Sequence, residues 1–539
     1  VTDIAREYKK LCPSVPIWVG GPEVSYEVEA FLRENPYIDG VMIGEGEDTF
    51  RELCGYYAHK RKLSDIAGIA FRKHSTGNST SNRTSVNNSG CKADEIVFTS
   101  PRPIKNMSEI PFCYDTLDDF SNRIIYYESS RGCPFSCSYC LSSVDKTLRF
   151  RDTRIVKREL KFFIDQKVPQ IKFVDRTFNC NHAHAMELWR FIKANDNGVT
   201  NFHFEISADL LNQEELELIS DMRPGLIQLE IGVQSTNEVT IKEIHRTMKL
   251  ERLKEVVRLI QSGNNIHEHL DLIAGLPYED YDSFGRSFDE IYELKPNQLQ
   301  LGFLKVLKGS YMFEHAAEYG IVYHDKPPYE VMSTKWLSFD DVIKIKRVED
   351  MLEVYYNSGQ FEITMKLMEC IFDSAFEFFQ ELGDFYEANG DFGMSHSRIR
   401  RCEILLEFLA LYLHGCDSDA ITSVGLSENH GDRDNTDFDE NAQIYSMIQE
   451  SLIFDLYYRE NCKSRPRWAT DIGKFKHMTH AYCKNGKLSH VEPFHYIFPD
   501  KHTRKLDELP KYHKEPVWAL FHYDMRDPLD HQALVEYIE

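Results

Sequence analysis

Three cysteines, Cys133, Cys137 and Cys140, lie in one short run, Ser129-Ser130-Arg131-Gly132-Cys133-Pro134-Phe135-Ser136-Cys137-Ser138-Tyr139-Cys140, with the spacing C-x3-C-x2-C. A tight loop can turn three thiolates to the same side. On a four-iron cube, three thiolate ligands leave one iron open to a further ligand. A structural zinc centre, by contrast, closes with four protein ligands. No fourth Cys or His stands at close spacing; the nearest candidates are Cys113 and Cys180. The spacing favours a [4Fe-4S] cluster over zinc or over three unrelated buried thiols.

The elements around this loop have to position it. From 124 to 306, apolar strands are expected at Ile124–Glu128, Ile171–Val174, Phe202–Ile206, Ile227–Gly232, His269–Ile273 and Leu299–Leu304. Amphipathic helices alternate with them, for example Ile155–Asp165, His184–Lys193 and Leu250–Gln261. Six such repeats fit a complete or partial (β/α) barrel, in which chemistry sits at the C-terminal strand ends. The cysteines fall on the first strand-to-helix loop. Upstream, helices near Ile4–Leu11, Ser25–Glu34 and Glu47–Tyr57 alternate with short strands at 16–19 and 40–44, which suggests parallel strands with crossovers. Residues 74–93 are polar, low in complexity and expected to be mobile. Residues 95–123 read as an extended linker, with Pro101, Pro103 and Pro111. Beyond 327 the chain turns mostly helical, with an acidic loop at 417–440 and strands expected at 479–482 and 517–523.

The 539 residues suffice for two or three domains. A net charge of -23 argues against broad binding to a phosphate backbone. No apolar run approaches the roughly 18 residues needed to span a bilayer, and no secretory signal is visible. The 13 cysteines are an odd, dispersed set, which suits a reducing cytoplasm better than a disulfide framework. The chain starts at Val1, so a fragment or processed form is expected.

With Tyr139 before its last cysteine, the trio resembles the signature of the radical S-adenosylmethionine (SAM) superfamily. The resemblance implies a partial (β/α)6 barrel and reductive cleavage of SAM to a 5′-deoxyadenosyl radical. It also implies an electron donor such as flavodoxin or ferredoxin. The ordered strand ends extend the match. Phe135 and Tyr139 flank the cysteines, and Asp175 ends the second strand where the family meets the methionine amine. Glu205 and Ser207 on the third strand resemble contacts to the sulfonium or ribose. The fourth strand carries Glu230 and a Gly-x-Gln-Ser element that includes Gln234. Arg246 matches a basic residue of several subgroups, and Gly275 lies in a loop resembling the one that approaches adenine.

Residues 15–53 resemble the second half of a cobalamin-binding domain, with Gly20, Gly21, Gly44 and Gly46 placed for a corrinoid tail. The Asp-x-His-x-x-Gly signature of base-off cobalamin proteins is absent from the sequence. Segments 326–331, 355–358 and 521–528 resemble an uncharacterised (DUF4080-like) domain appended to certain cobalamin-type radical SAM proteins. The expected organisation is therefore an α/β chain in four parts. Residues 1–73 form a truncated, Rossmann-like cobalamin-binding half-domain, and 74–123 a loop and linker. Residues 124–326 form the barrel, and 327–539 a mostly helical accessory domain. Methyl transfer to an unactivated carbon is the first reaction expected, with neither nucleic acid nor membrane as partner. Two readings stay open beside it. One is a cobalamin-independent radical SAM enzyme, such as a methylthiotransferase or one performing a rearrangement. The other is a non-catalytic metal-binding protein.

Overall fold

The computed structural model describes residues 1–73, 95–114, 116, 117, 120, 123–144, 146–414, 440–483, 488–499, 503, 506 and 508–538. The low-complexity stretch at 74–93 and nearly all of the acidic loop at 417–440 lie outside the described residues.

The first sheet has the order β1 (Trp18–Gly20), β2 (Gly40–Met42), β3 (Ile69–Lys73) and β4 (Glu95–Phe98). β1 and β2 are parallel as expected, but β3 and β4 add antiparallel. Residues 95–98, expected to begin a linker, are therefore an edge strand. The short runs Ile69-Ala70-Phe71 and Ile96-Val97-Phe98 are too brief to show a period, and only pairing turns them into strands.

β5 (Ile125–Tyr127) leads into the cysteine segment, where β6 (Ser130–Arg131) pairs with β7 (Arg149–Phe150). Then come β8 (Gln170–Phe173), β9 (Asn201–Ile206), β10 (Ile227–Gln234), β11 (His267–Ala274) and β12 (Gln298–Phe303). Strands β5 and β8 to β12 pair in chain order, all parallel, and β12 does not return to β5. The result is the open six-stranded barrel that the alternation predicted.

On β10, Ile227, Leu229, Ile231 and Val233 are buried, while Gln228, Glu230, Gly232 and Gln234 alternate with them half-buried. β11 repeats the pattern with His267, His269 and Asp271 in the half-buried set. Period-two alternation thus splits β10 into an apolar row and a polar row, while on β11 Glu268 falls in the buried row. Side-chain caps start the crossover helices. Asp152 accepts from Arg154 N ahead of helix Thr153–Asp165, and Asn181 from His184 N ahead of helix His182–Ala194. Asn212 and Glu215 form a capping box on helix Gln213–Ser220.

The C-terminal part holds the helices Phe339–Leu352, Glu362–Met368, Ala375–Asn389, Arg398–His414 and Glu440–Arg459. A small hairpin, β13 (Val322–Tyr323) and β14 (Val331–Ser333), precedes them. A three-stranded antiparallel sheet follows: β15 (Ser489–Tyr496), β16 (Tyr512–Arg526) and β17 (Ala533–Ile538). The strand expected at 517–523 lies within β16. The one expected at 479–482 is instead the end of helix Lys476–Tyr482, and the strand begins at Ser489. The run at 479–482 is too short for propensity to set its state.

One continuous apolar core runs from the barrel into this C-terminal part. Phe376 and Phe379 pack against Phe288 of the last barrel helix, with centroids 5.5 and 6.1 Å apart. The N-terminal layer keeps its own small clusters and attaches mainly through polar contacts. Phe379→Ala is therefore expected to destabilise barrel and C-terminal helices together, by about 3–5 kcal/mol. A denaturant titration followed by circular dichroism should show one transition moved to lower denaturant. Loss of the C-terminal helices alone, with the barrel transition unmoved, would contradict a shared core.

Candidate active site

The cysteine loop is held at both ends and in the middle. At its start, Asp175 is fully buried. Its carboxylate accepts from Ser129 N at 2.9 Å, Ser129 Oγ at 2.7 Å and Ser130 Oγ at 2.5 Å. Next comes Arg131, which pairs with Glu128 at 2.7 Å, Glu47 at 2.8 Å and Glu45 at 3.2 Å. Glu128 and then Glu47 hold the Arg131 pKa above its usual value, against burial. Arg149 adds a second cation on Glu45, at 2.7 Å. Burial pushes the Glu45 pKa up, but Lys105 N–H, Arg149 and Arg131 together bring it below the usual carboxylate value. These pairs tie the N-terminal layer to the residue two places before Cys133. Gly132 has φ +91°, and a Cβ there would meet Thr147 O at 2.5 Å, so only glycine fits. Further along, Ser138 N donates to Ile244 O and Met312 N donates to Ser138 O, both at 2.9 Å.

Held this way, the loop turns Cys133, Cys137 and Cys140 to one cavity of about 190 Å³ at the C-terminal strand ends. Phe135, Tyr139, Glu205, Ser207, Glu230, Gln234 and Arg246 line the same cavity. Arg246 donates to Gly232 O, to Tyr139 Oη at 3.3 Å and to Cys137 Sγ at 3.8 Å. Cys133 Sγ lies 3.8 Å from Thr177 Oγ1. A Cβ on Gly232 would meet Gln234 Nε2 at 2.4 Å, so the glycine makes room for that amide.

Two of the expected residues stand elsewhere. Asp175 spends its oxygens on Ser129 and Ser130, and so it braces the cysteine loop instead of facing the cavity. Gly275 does not line the cavity either; its φ is +87°, and a Cβ would strike Val331 Cγ1 at 2.7 Å. It allows β14 to pack closely. Reading by motif missed Arg176, Thr177 and Asp271, which also line the cavity. Asp271 alternates with His267 and His269 along β11, and that polar row was the available signal.

Three carboxyls meet here, and their pKa values are shifted in opposite directions. Burial, then Glu230 and Glu205, push Asp271 up to about 7. Burial and then Glu230 also raise Glu205. His203 and Lys172, against burial, pull Glu230 down to about 2.

The donor set fits a cluster. Three sulfurs share one cavity, two of them with polar groups at 3.8 Å, of the kind that tune cluster potentials. Among the described residues, no three His, Cys, Asp or Glu side chains converge on a single metal ion. The N-terminal glycines fit a close-lying planar group. Gly21 (φ +99°) and Gly44 (φ +76°) follow the parallel strands β1 and β2, and with Gly46 they have no heavy atom within 4 Å of a built Cβ. Gly20 differs, since its Cβ would meet Met42 Cε at 3.2 Å.

Comparison with known proteins agrees with this arrangement. Residues 127–291 match the Radical SAM superfamily, 1–54 the B12 binding domain, and 317–533 a protein family of unknown function, DUF4080. An uncharacterized methyltransferase of Pyrococcus horikoshii is 23% identical over 353 residues, covering 64% of this chain and 71% of its own. The cobalamin-dependent radical SAM methyltransferase TokK of Streptomyces tokunonensis is 26% identical over 314 residues, 54% of this chain. The match spans only 42% of TokK. The structure of apo, selenomethionine-labelled OxsB, a cobalamin-dependent S-adenosylmethionine radical enzyme, overlays with a TM-score of 0.50 at 15% identity. That overlay covers 85% of this chain and 70% of OxsB, and it bears on the fold alone.

Asp175 gives a test of the bracing. Burial raises its pKa from 3.8 to about 6, against the hydrogen bonds from Ser129 and Ser130. Its protonated form is favoured in the fold, so its contribution is fully present below pH 3.8 and declines as pH rises to about 6. Thermal melts should show wild type losing stability relative to Asp175→Asn across that window; parallel curves would contradict it. Asp175→Ala, which strands three donors, should cost about 3 kcal/mol and lower the iron retained after anaerobic reconstitution.

Proposed function

We infer that this chain, a radical SAM protein with a B12-binding segment before its barrel and a DUF4080 region after it, cleaves S-adenosylmethionine reductively and methylates an unactivated carbon. The observation that carries the reading is the set of three cysteines facing one cavity with Arg246, Gln234 and the carboxyls, at the C-terminal ends of parallel strands. When bound, a [4Fe-4S] cluster supplies the electron that splits the sulfonium into methionine and a 5′-deoxyadenosyl radical, and cobalamin supplies a methyl carrier.

The chain's own residues do the rest. Cys133, Cys137 and Cys140 hold the cluster. Phe135, Tyr139, Glu205, Ser207, Glu230 and Gln234 wall the cavity in which the sulfonium ligand is oriented. Arg246 sets a positive charge beside Cys137. Gly21, Gly44 and Gly46 give the corrinoid a ledge without side chains, and the Arg131 pairs with Glu45 and Glu47 register that ledge to the cysteine loop. The electron comes from a partner protein such as flavodoxin or ferredoxin, and the enzyme works in the cytoplasm. No described helix is long and apolar enough to cross a membrane.

The test is anaerobic reconstitution with iron and sulfide, followed by S-adenosylmethionine and dithionite. The wild type should release 5′-deoxyadenosine, and added hydroxocobalamin should yield S-adenosylhomocysteine as well. Cys133→Ala, Cys137→Ala and Cys140→Ala should each reduce 5′-deoxyadenosine to background. Absence of 5′-deoxyadenosine from iron-loaded wild type would overturn the reading. Its presence without S-adenosylhomocysteine would overturn the methyl transfer alone.

A further inference from the structure

Barrels of this kind usually fill their lumen with layers of branched apolar side chains. Here the layer beneath the cysteine cavity is polar. Lys172 on β8 stands opposite His203 on β9, and Glu230 on β10 stands opposite Glu205 on β9 and His269 on β11. Lys172 Nζ donates to Glu230 Oε2 at 2.8 Å. His203 Nε2 approaches the same oxygen at 3.0 Å, without the alignment of a good hydrogen bond. The His203 ring is itself backed by His269, with centroids 5.7 Å apart. Both contacts use Oε2, and Glu230 lines the cysteine cavity.

We infer that Lys172 and His203 are positioning residues: by occupying one oxygen of Glu230 they aim the other into the cysteine cavity, where it docks the cationic end of a sulfonium or ammonium ligand. That this ligand is S-adenosylmethionine rests on the proposed function. A carboxylate fixed by two neighbours enters such a contact with little further loss of freedom, and charge-assisted contacts are the strong ones.

The groups facing Glu230 are Lys172 from β8, His203 and Glu205 from β9, His269 and Asp271 from β11, and Arg246 beside Gly232. With its two partners Glu230 stays ionised, whereas Asp271 and Glu205 are raised. Without Lys172, one of the two partners that oppose burial is lost, so the Glu230 pKa should rise. Protonation then removes the charge that a cation needs, so affinity should fall on the acid side.

The experiment measures S-adenosylmethionine binding to cluster-loaded, oxidised protein by isothermal titration calorimetry, from about pH 5 to about pH 8. Iron content per chain and circular dichroism establish that each variant is folded and loaded. Lys172→Met and His203→Leu should each weaken binding by about tenfold at neutral pH and add an acid-side loss that wild type lacks. Lys172→Arg should restore both affinity and pH profile. Adding Lys172→Met to Glu230→Gln should cause no further loss, because the residue it positions is already gone. Wild-type affinity and profile in a loaded Lys172→Met protein would overturn the inference, as would fully additive losses in the double variant. Wild type that binds no S-adenosylmethionine would instead refute the proposed function, so the two failures are distinguishable.

Discussion

A loop that must present three thiolates to one side cannot be held by those thiolates, and everything near the site follows from how else it is fixed. Asp175 takes the first turn with three hydrogen bonds. Arg131 takes the next residue with carboxylates from two directions, Glu128 beside it and Glu45 and Glu47 from the N-terminal layer. Gly132 then bends where no side chain fits. A buried carboxylate with complete hydrogen bonding is costly to place and costly to disturb, which suits a part that must not move.

The same ion pairs join two layers that share little apolar surface. The N-terminal sheet keeps its own small clusters, while barrel and C-terminal helices share one core. Carboxylates directly after Gly44 and Gly46 reach the arginine two residues before Cys133. The glycine ledge and the cysteine cavity are therefore registered through fixed charges over a short span of chain. In the C-terminal direction the coupling is instead aromatic, through Phe376 and Phe379 of helix Ala375–Asn389 packed against Phe288 of the last barrel helix, Tyr281–Tyr292.

Much of this was legible in the sequence where spacing or period is strong. The C-x3-C-x2-C run located the site, and six apolar runs alternating with amphipathic helices located the barrel within a few residues. Ten of the twelve residues expected at the cluster and its ligand line the cavity. Asp175 and Gly275 were misread because a strand-end position does not say which way a side chain turns; Asp175 found donors behind it. Lys172 and His203 went unread since no motif marks them, and only pairing across β8 to β11 gathers them around Glu230. The antiparallel strands β3 and β4 and the strand at 489–496 escaped for a related reason. Short strands are defined by partners far off in the chain, and local pattern carries little of that.

A [4Fe-4S] cluster held by three thiolates would keep one iron open, and through it these cysteines would do more than store a metal. Electron–nuclear double resonance on the reduced, reconstituted protein with S-adenosylmethionine labelled with nitrogen-15 at its amine tests this most directly. A hyperfine coupling from that nitrogen to a [4Fe-4S] signal is expected, and it should vanish with unlabelled ligand. A cluster signal without any such coupling, or a protein that retains zinc in place of iron, would contradict it.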